Sequence, residues 1–393
     1  MSPHAQPAIV GRKLQALDGL RGIAITLVFL YHMKGQMPAV NVFFLYLIQY
    51  AGVGWVGVDL FFVLSGFLIT GILLDTRDAS NYFSGFYARR VLRIFPPCYV
   101  TVLIVTALAS FGLVYNTESY KSLVAAFFYF SNYWNILGLG NLPAGMGILW
   151  SLAVEEHYYL LFPPLYAWFV RSSVSRKRQA VCLLALCAGA LIWRCCRAAF
   201  FHSPWANIYE GTDTRFDSIL YGCVLAIVAN PRLGDEAPWL KKHANVLALA
   251  GALLIALSFT YRNPFFRDTF RYTLNAIGLA PIFFLVTLPE KHFLTRCLEW
   301  RVLRRLGQLS YSMYLIHHTF FHHFYHFHRP SLLLATGILV ATVLYAQAMR
   351  TLIELPLQRA RSRLRAKPAS KARKAPGSAS PNIEVPNEKT PAA

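Results

Sequence analysis

Apolar residues form long blocks along most of the chain, and short segments rich in Arg, Lys, Gly and Pro separate these blocks. A half-buried strand would alternate apolar and polar residues, whereas apolar blocks of this length are typical of helices that lie in lipid. The pattern therefore predicts an all-α integral membrane protein. The candidate membrane helices begin near residues 19, 55, 94, 122, 148, 179, 213, 244, 269, 306 and 331.

The composition agrees with a membrane protein and limits what the positive charge can mean. Hydrophobic residues make up 56% of the 393 residues and the mean hydropathy is +0.41, which is too apolar for a soluble domain. A formal net charge of +20 would suit nucleic-acid binding if Arg and Lys were gathered on one soluble face. Here they lie between the apolar blocks and in the C-terminal segment. We therefore expect contact with membrane lipid and no nucleic-acid partner.

The positions of the positive charges predict the topology, because short cytoplasmic loops of membrane proteins are enriched in Arg and Lys. If every apolar block crossed the membrane, the basic connection at 171–178 would lie outside. If the block at 122–138 does not cross, the basic segments at 171–178, 291–305 and 359–374 all lie inside. We therefore expect about ten transmembrane helices, one re-entrant or non-spanning segment, and both termini in the cytoplasm.

Three arginines disagree with this topology. Arg262, Arg267 and Arg271 lie in a connection that falls on the outer side of the membrane. The positive-inside rule gives no reason for a basic cluster there.

Composition divides the chain into three regions. Residues 1–13 are expected to form a cytoplasmic N-terminal segment without a signal-peptide cleavage site, and residues 14–357 the membrane domain. Residues 358–393 are basic at first and then rich in Pro, Ala and Ser, with too little apolar content to fold. We expect them to be a disordered cytoplasmic tail.

Two polar residues in the first apolar block are functional candidates. Arg21 and His32 are eleven residues apart, so they share one face of a helix and lie about 16 Å apart along its axis. Lipid penalises both groups, and we expect them to face protein or a water-filled cavity as two positions along one path. The alternative is that Arg21 reaches the inner headgroups and His32 is a packing histidine.

Adjacent carboxylates open the fifth predicted membrane helix. Neighbouring helical residues point about 100° apart, so only one of Glu155 and Glu156 can easily face the same interior as His32. The expected topology places Glu155 and His32 at similar depth, and a carboxylate beside a histidine can orient a general base. We therefore predict that Glu155 orients His32 as a catalytic pair. The alternative is a carboxylate paired with an Arg for packing alone.

Three arginines lie at the expected inner mouth of the third membrane helix, just before a pair of prolines that we place in its first turn. Arg90 and Arg93 are three residues apart and can present a joint guanidinium surface suited to phosphates. Together with Arg89 and Arg21 they exceed what anchoring at the inner surface requires. We predict that these four arginines bind the phosphates of a co-substrate.

Other polar groups in apolar blocks are expected to contact substrate or to support the site. These residues are Asp59, Arg215, Asp217, Tyr311 and His317.

A stripe of histidines follows His317 on the same predicted helix. His318, His322 and His326 recur every four residues and could in principle bind a metal. No Cys, Asp or Glu joins them nearby, and histidines and aromatic residues are ordinary at a membrane interface. We therefore predict no metal site.

Six motifs together resemble the membrane-bound acyltransferase 3 family. They occur in the order of that family between residue 14 and about residue 357, and each is weak by itself. In chain order they are LDGLRGIAITLVFLYH, GVDLFFVLSGFLIT, ARRVLRIFPP, WSLAVEEHYYLLFP, GTDTRFDSILYG and LGQLSYSMYLIH.

The resemblance implies a bacterial inner-membrane enzyme that transfers an acyl group, usually acetyl, from cytoplasmic acyl-CoA to a hydroxyl of an exported or surface carbohydrate. It implies acyl-CoA as co-substrate, no permanently bound cofactor, and a lipid-linked or free glycan as acceptor. Matched by motif, Arg21 and His32 are the family's first-helix pair, Arg90 and Arg93 its inner arginines, and Glu155 its fifth-helix acid. Members that modify O-antigen often carry a fused periplasmic domain, so we expect either a periplasmic partner protein or an acceptor that reaches the membrane unaided.

A secondary transporter is the rival prediction, because transporters also place polar residues in the middle of the membrane. Transporters tend to have internal repeats with paired broken segments, and we find no such repeat in the sequence. A purely structural scaffold would have no need for His32 within lipid.

Overall fold

The structure is a computed structural model, and its described parts contain helices and no β-strand. The described residues are 15–34, 52–229, 238–288, 290, 292–328 and 331–364. The N-terminal segment 1–13 and the tail from residue 365 onward lie outside them, so the disorder expected of that part of the tail stays a prediction.

Seventeen α-helices occur in the described residues. In chain order they are α1 (Gln15–Met33), α2 (Val56–Thr76), α3 (Tyr82–Ser110), α4 (Leu123–Phe127), α5 (Ser131–Ile136), α6 (Trp150–Arg171), α7 (Arg176–Ala199), α8 (Trp205–Glu210), α9 (Thr212–Val228), α10 (Pro238–Lys242), α11 (Ala244–Thr260), α12 (Pro264–Asp268), α13 (Phe270–Thr287), α14 (Phe293–Leu298), α15 (Arg301–Phe327), α16 (Leu332–Met349) and α17 (Leu355–Ser362). The 3₁₀ segments Tyr120–Ser122 and Pro143–Leu149 and the π segment Arg350–Glu354 connect some of them.

Six helices within the described residues are long and apolar enough to cross a membrane, so the protein is a multi-pass membrane protein. The membrane candidates are Gln15–Met33, Val56–Thr76, Tyr82–Ser110, Arg176–Ala199, Phe270–Thr287 and Leu332–Arg361. Helices α6 and α15 are also long, with 22 and 27 residues, but they carry the polar groups of the site and do not meet the same criterion. The number of about ten crossings stays a prediction.

Glycines bring α1 into backbone contact with α15. A Cβ atom at Gly307 would collide with the backbone oxygen of Asp18, and a Cβ at Gly22 would collide with that of Leu303. Small residues allow membrane helices to approach closely, because packing rather than the hydrophobic effect joins helices in lipid. This contact fixes α15, which carries His317, against α1, which carries His32.

A second glycine-mediated contact joins α2 to α9. Side chains at Gly66 and Gly222 would collide with the backbone oxygens of Ile219 and Val63, respectively. The same two helices carry Asp59 and Arg215, so the close packing also brings a carboxylate next to a guanidinium.

Helix α3 begins earlier than the sequence predicted. The expected start near residue 94 would place Pro96 and Pro97 in the first turn, but α3 begins at Tyr82 and both prolines lie in its interior. Prolines remove backbone donors and normally bend or end a helix. Here the hydroxyl of Tyr311 donates to the Ile94 carbonyl oxygen (2.7 Å), and that of Thr101 donates to the Pro97 carbonyl oxygen (2.7 Å).

The block predicted not to cross the membrane contains no long helix. Its two helices, α4 and α5, have five and six residues. A membrane-spanning helix needs about 20 residues, so this block does not cross as one helix, in agreement with the prediction from charge.

The expected boundary of the tail at residue 358 falls inside α17, which continues to Ser362. The guanidinium of Arg89 on α3 donates to the backbone oxygen of Leu364 (2.6 Å). Residues 358–364 are therefore attached to the membrane domain, and a tail can begin only after them.

Candidate functional site

A largely apolar cavity lies beside the N-terminal half of α1. Its volume is about 280 Å³, and its polar lining includes Arg21, Arg90, Arg93 and Glu155. Sites for whole small molecules usually have about 300–1,000 Å³, so this space suits a narrow chain better than a nucleotide. We call it the inner cavity.

Two arginines of the inner cavity lack an ion-pair partner within the described residues. Arg90 and Arg93 have no hydrogen bond or ion pair with any other residue in the described part of the chain, and the Arg90 Nε atom is buried. Arg90 lies 5.8 Å and 5.9 Å from the ring centres of Phe86 and Tyr159. Arg21 is paired with Asp18 on its own helix at 3.1 Å. Unpaired guanidinium groups in a half-enclosed space are suited to bind an anion.

Glu155 lies in the inner cavity, away from the position that the sequence predicted for it. Its two carboxylate oxygens accept hydrogen bonds from Ser65 (2.9 Å) and Tyr159 (3.1 Å). The predicted pairing with His32 is wrong, because His32 lines a different cavity and bonds other groups. The sequence pattern placed Glu155 and His32 at similar depths in the membrane, but it could not determine the rotation of their helices about their axes. In the structure, α6 is rotated so that Glu155 lies with the arginines of the inner cavity.

Arg89 does not join the other three arginines. Its guanidinium is bonded to the Leu364 backbone oxygen, and its side chain does not line the inner cavity. Residues 89 and 90 are adjacent, so the helix directs them about 100° apart. The prediction that Arg89 binds phosphate together with Arg90 and Arg93 therefore lacks the required geometry.

The neighbours of His32 determine which of its ring nitrogens carries the proton. His317 Nδ1 lies 2.7 Å from the Tyr314 backbone oxygen, and His32 Nδ1 lies 2.9 Å from the Val28 backbone oxygen. A carbonyl oxygen only accepts, so both Nδ1 atoms carry protons. His317 Nε2 is then an acceptor and lies 3.2 Å from His32 Nδ1. This arrangement leaves His32 Nε2 as the nitrogen with the free lone pair.

A third histidine packs against His32 and is held by a strained segment. The rings of His32 and His318 lie 4.8 Å apart, and His318 Nδ1 donates to the Gly145 backbone oxygen at 2.6 Å. Gly145 has φ +75° and lies so close to His318 and His322 that a side chain would not fit. Ala144 has φ +50°, a value that non-glycine residues rarely adopt. Strain of this kind is frequent at functional sites.

The histidines of the stripe on α15 make other contacts, and the absence of a metal site stays a prediction. No group of three or more His, Cys, Asp and Glu side chains in the described ranges could hold a metal ion. The ring of His326 instead stacks on Tyr115 at 3.4 Å.

A second cavity contains His32. Its volume is about 230 Å³, and its lining includes Tyr31, His32, Trp205, Glu210 and His318. We call it the His32 chamber. Because α1 runs from Arg21 to His32, the inner cavity and the His32 chamber lie toward opposite ends of one helix.

A pair of hydroxyl groups lies between the two cavities. The Tyr314 and Ser151 hydroxyls are 2.6 Å apart and both residues line the inner cavity. Tyr314 also donates to the backbone oxygen of Ile148 (2.9 Å), which lines the His32 chamber. Tyr311, a predicted supporting residue, lines the inner cavity one turn before Tyr314.

The carboxylate of the His32 chamber is Glu210, which the sequence reasoning missed. Glu210 ends α8 and accepts a hydrogen bond from Asn135 at 2.8 Å. Burial raises the pKa of this carboxyl group, and the hydrogen bond from Asn135 partly offsets that rise. The signal in the sequence was its place immediately before the GTDTR motif.

Asp59, Arg215 and Asp217 form ion pairs in the core instead of lining either cavity. Arg215 pairs with Asp59, which also accepts from Asn275 (3.1 Å). Asp217 is bonded through both oxygens to Arg194 (2.8 Å each). All four charged side chains have no exposed area. These pairs join α2, α7 and α9, and a lone arginine in the apolar run of α7 was the sequence signal for Arg194.

The comparisons with known proteins agree with the six motifs. A family model described as an acyltransferase domain matches residues 14–350. The chain is 30% identical over 321 residues to the Listeria monocytogenes protein named peptidoglycan O-acetyltransferase OatA. This match covers 77% of this chain and 48% of that protein. It is 28% identical over 325 residues to the Staphylococcus aureus protein named O-acetyltransferase OatA. This match covers 78% of this chain and 50% of that protein.

The chain thus spans about half the length of these relatives. No solved structure matches it significantly. The family match covers most of the chain and includes every motif from the first helix to α15, so the family that the six motifs predicted is confirmed. The chain belongs to the membrane-bound acyltransferase 3 family.

Proposed function

We propose that the protein is a membrane O-acyltransferase that moves an acyl group, in the simplest case acetyl, from acyl-CoA to a hydroxyl of a cell-envelope carbohydrate. The observation that carries this proposal is the pair of cavities along α1, one with unpaired arginines and the other with His32. The relatives named O-acetyltransferases support the choice of acetyl and of a hydroxyl acceptor.

The inner cavity would receive the acyl donor. Arg90 and Arg93 would bind the phosphates of CoA at its mouth, where Arg93 is exposed. The apolar lining fits the narrow acyl-pantetheine arm, and the volume of about 280 Å³ leaves the nucleotide outside. Glu155 lines the same cavity and would reduce its net positive charge, while its oxygens bond Ser65 and Tyr159.

His32 would act as the general base. Its free Nε2 accepts the proton of the acceptor hydroxyl while the hydroxyl oxygen attacks the thioester carbonyl. The carbon–sulfur bond then breaks, the protonated His32 Nε2 gives its proton to the leaving sulfur so that CoA leaves as the thiol, and the acyl group remains on the acceptor as an ester. His317 fixes the tautomer of His32, the role that we had predicted for Glu155. The thioester would pass the hydroxyl pair of Tyr314 and Ser151 to reach His32.

The proposal includes sidedness. The Arg21 end of α1 and both termini would lie in the cytoplasm, and the His32 chamber toward the outside of the bacterial plasma membrane; the basic connections support this orientation. The acceptor, and any periplasmic partner that presents it, would then approach from the outside.

Purified protein with radiolabelled acetyl-CoA and soluble peptidoglycan fragments tests the proposal. We expect labelled glycan whose acetate mild alkali releases, because an ester is alkali-labile and an amide is not. The His32→Gln variant in the same detergent is the matched control and should give no labelled glycan. Acetyl-CoA that stays intact, or label that resists alkali, would contradict the proposal. Uptake of an unmodified substrate into vesicles would instead support the rival transporter.

A further inference from the structure

A wide recess lies next to the His32 chamber. Its volume is about 660 Å³, and Tyr31 and Trp205 line both spaces, so the two are adjacent. The other side chains that matter for its chemistry are Lys34, Trp55, Arg262, Arg267 and Arg271. We call it the basic-aromatic cleft.

The cleft carries excess positive charge. Arg267 is paired with Asp268 at 2.8 Å, and Arg271 donates to the backbone oxygens of Ser258 (3.0 Å) and Tyr261 (2.7 Å). Arg262 is exposed and has no hydrogen-bond or ion-pair partner within the residues that the structure describes. Lys34 lies 4.1 Å above the Tyr31 ring. Among the described residues, four cations line this recess, and the one ion pair of these cations is that of Arg267 with Asp268.

Aromatic rings form the floor of the cleft and are held in place. Trp205 stacks on Tyr209 with ring centres 4.8 Å apart and donates through its indole N–H to the Tyr272 hydroxyl at 3.2 Å. It is still 41% exposed, so one part of the indole is free to contact a ligand. Trp55 packs edge-on against Tyr209 and Tyr272. Rigid indole rings provide large contact areas with an apolar face and a polar edge.

We propose that the basic-aromatic cleft binds the acceptor, and that the acceptor is a saccharide bearing a negative charge, either a carboxylate or a phosphate. The inference rests on the proposed function, since it places the acceptor next to His32. The indole faces would pack against the C–H faces of sugar rings, while Lys34 and Arg262 would bind the anionic group. This role also explains why a basic cluster occurs on the side where the topology rule predicts none.

The shape of the recess favours a saccharide over the surface of an anionic bilayer. Arginines that bind lipid headgroups need only be exposed, but here the cations line a concave space next to the chamber of the proposed general base. The indole of Trp205 is also bonded inside the protein instead of lying in an aromatic belt on the lipid face.

Direct binding tests this inference independently of turnover. The probes are a labelled peptide-free tetrasaccharide of N-acetylglucosamine and N-acetylmuramic acid, which carries carboxylates, and the neutral chitotetraose. Each is titrated into full-length protein in nanodiscs of zwitterionic lipid. We expect the acidic probe to bind more tightly, and added salt to weaken only the acidic probe. Chitotetraose 1-phosphate carries a phosphate instead of carboxylates, so comparing it with the acidic tetrasaccharide shows which of the two anionic groups the cleft binds. Tight binding of either anionic probe supports the proposal.

The Lys34→Gln, Arg262→Gln double variant removes the two cations of the cleft that form no ion pair or hydrogen bond with other described residues, so no buried carboxylate of the described part is left unpaired. Binding of the acidic probe should weaken about tenfold, because each exposed charge interaction contributes up to about 1 kcal/mol, while binding of the neutral probe stays unchanged. The Lys177→Gln, Arg178→Gln variant removes two exposed charges elsewhere and should have no effect. Trp205→Ala should weaken both probes equally.

Equal binding of acidic and neutral saccharides by the wild type would overturn the inference. Unchanged binding of the acidic probe by the double variant would also overturn the inference. An effect of the double variant that appears only in nanodiscs that contain phosphatidylglycerol would overturn it as well, because it would identify lipid as the ligand. The acetyl-CoA assay separates the two proposals. Absent acetyl transfer together with selective acidic binding would reject the proposed function and keep the anion site.

Discussion

Two regions of this protein contain arginines that differ in whether they form ion pairs. In the core, Arg194 and Arg215 are fully buried, and each forms an ion pair with an aspartate. In the inner cavity, Arg90 and Arg93 have no such partner among the described residues. Both regions lie in the membrane domain, and sequence alone marked residues of both as candidates.

The difference teaches how to separate structural from binding arginines in an apolar protein. A buried guanidinium must be paired, because an unpaired charge in a medium of low dielectric constant is strongly unfavourable. The core arginines satisfy that requirement within the chain. Arg90, which is partly buried with a buried Nε atom, does not satisfy it among the described residues, and a bound anion from outside the chain would do so; Arg93 is exposed and is solvated without a partner.

The largest effect should follow from breaking a core ion pair. Asp217→Ala leaves Arg194 buried without its carboxylate, and the loss of stability should be about 3–5 kcal/mol. Thermal unfolding and yield in detergent measure it. The Arg194→Leu, Asp217→Leu double variant removes both charges and should be more stable than the single variant. A fully stable Asp217→Ala protein that lacks only acyl transfer would mean that the pair acts in catalysis.

Removing the cavity arginines should change substrate binding and leave stability unchanged. In the Arg90→Gln, Arg93→Gln variant, KM for acetyl-CoA should rise about 10²-fold, since each lost bond to a phosphate is worth about 1.5 kcal/mol or more. The value of kcat and the KM for the acceptor should remain close to wild type. A reduced melting temperature with unchanged KM would place these arginines with those of the core.

The contact between His317 and His32 should matter less and should affect kcat alone. His317→Leu removes one of the two acceptors of His32 Nδ1–H and leaves the Val28 backbone oxygen, and the weaker hold on the ring should lower kcat about tenfold. His317→Gln keeps an acceptor oxygen and should recover most of that loss. Equal losses in the two variants would assign His317 to packing instead of tautomer control.

Arg89 provides the smallest expected effect and an internal control for Arg90. Its guanidinium is bonded to the Leu364 backbone oxygen and lies outside the inner cavity. Arg89→Gln should therefore change KM for acetyl-CoA less than about twofold, within the small range of surface substitutions. A rise as large as that for Arg90 would show that Arg89 contacts the acyl donor after all.

Sequence was sufficient for the features that depend on composition and local spacing. The all-helical membrane fold, the placement of Arg21 and His32 on one helix, and the family all followed from apolar blocks and motifs. The charge pattern also indicated that residues 122–138 contain no single membrane helix.

Features that depend on helix rotation and on distant contacts could not be predicted. His317 is 285 positions away from His32, and only the packing of α1 on α15 brings them together. Neighbouring helical residues point about 100° apart, so the rotation of each helix decides which of two neighbours reaches a cavity. Glu155 lines the inner cavity, whereas Arg89 does not and its neighbour Arg90 does. Pro96 and Pro97 suggested the start of a helix, because a local pattern does not show that the helix continues through both prolines from Tyr82 to Ser110.

The most direct measurement compares acyl transfer and acyl-CoA binding in one preparation of His32→Gln. If His32 Nε2 is the general base, kcat for acetyl transfer should fall by about 10²–10⁴, while the Kd for acetyl-CoA stays within about twofold of wild type, because the inner cavity is unchanged. A folded His32→Gln protein that transfers acetyl at a near-wild-type rate would contradict this role and make His32 a packing residue.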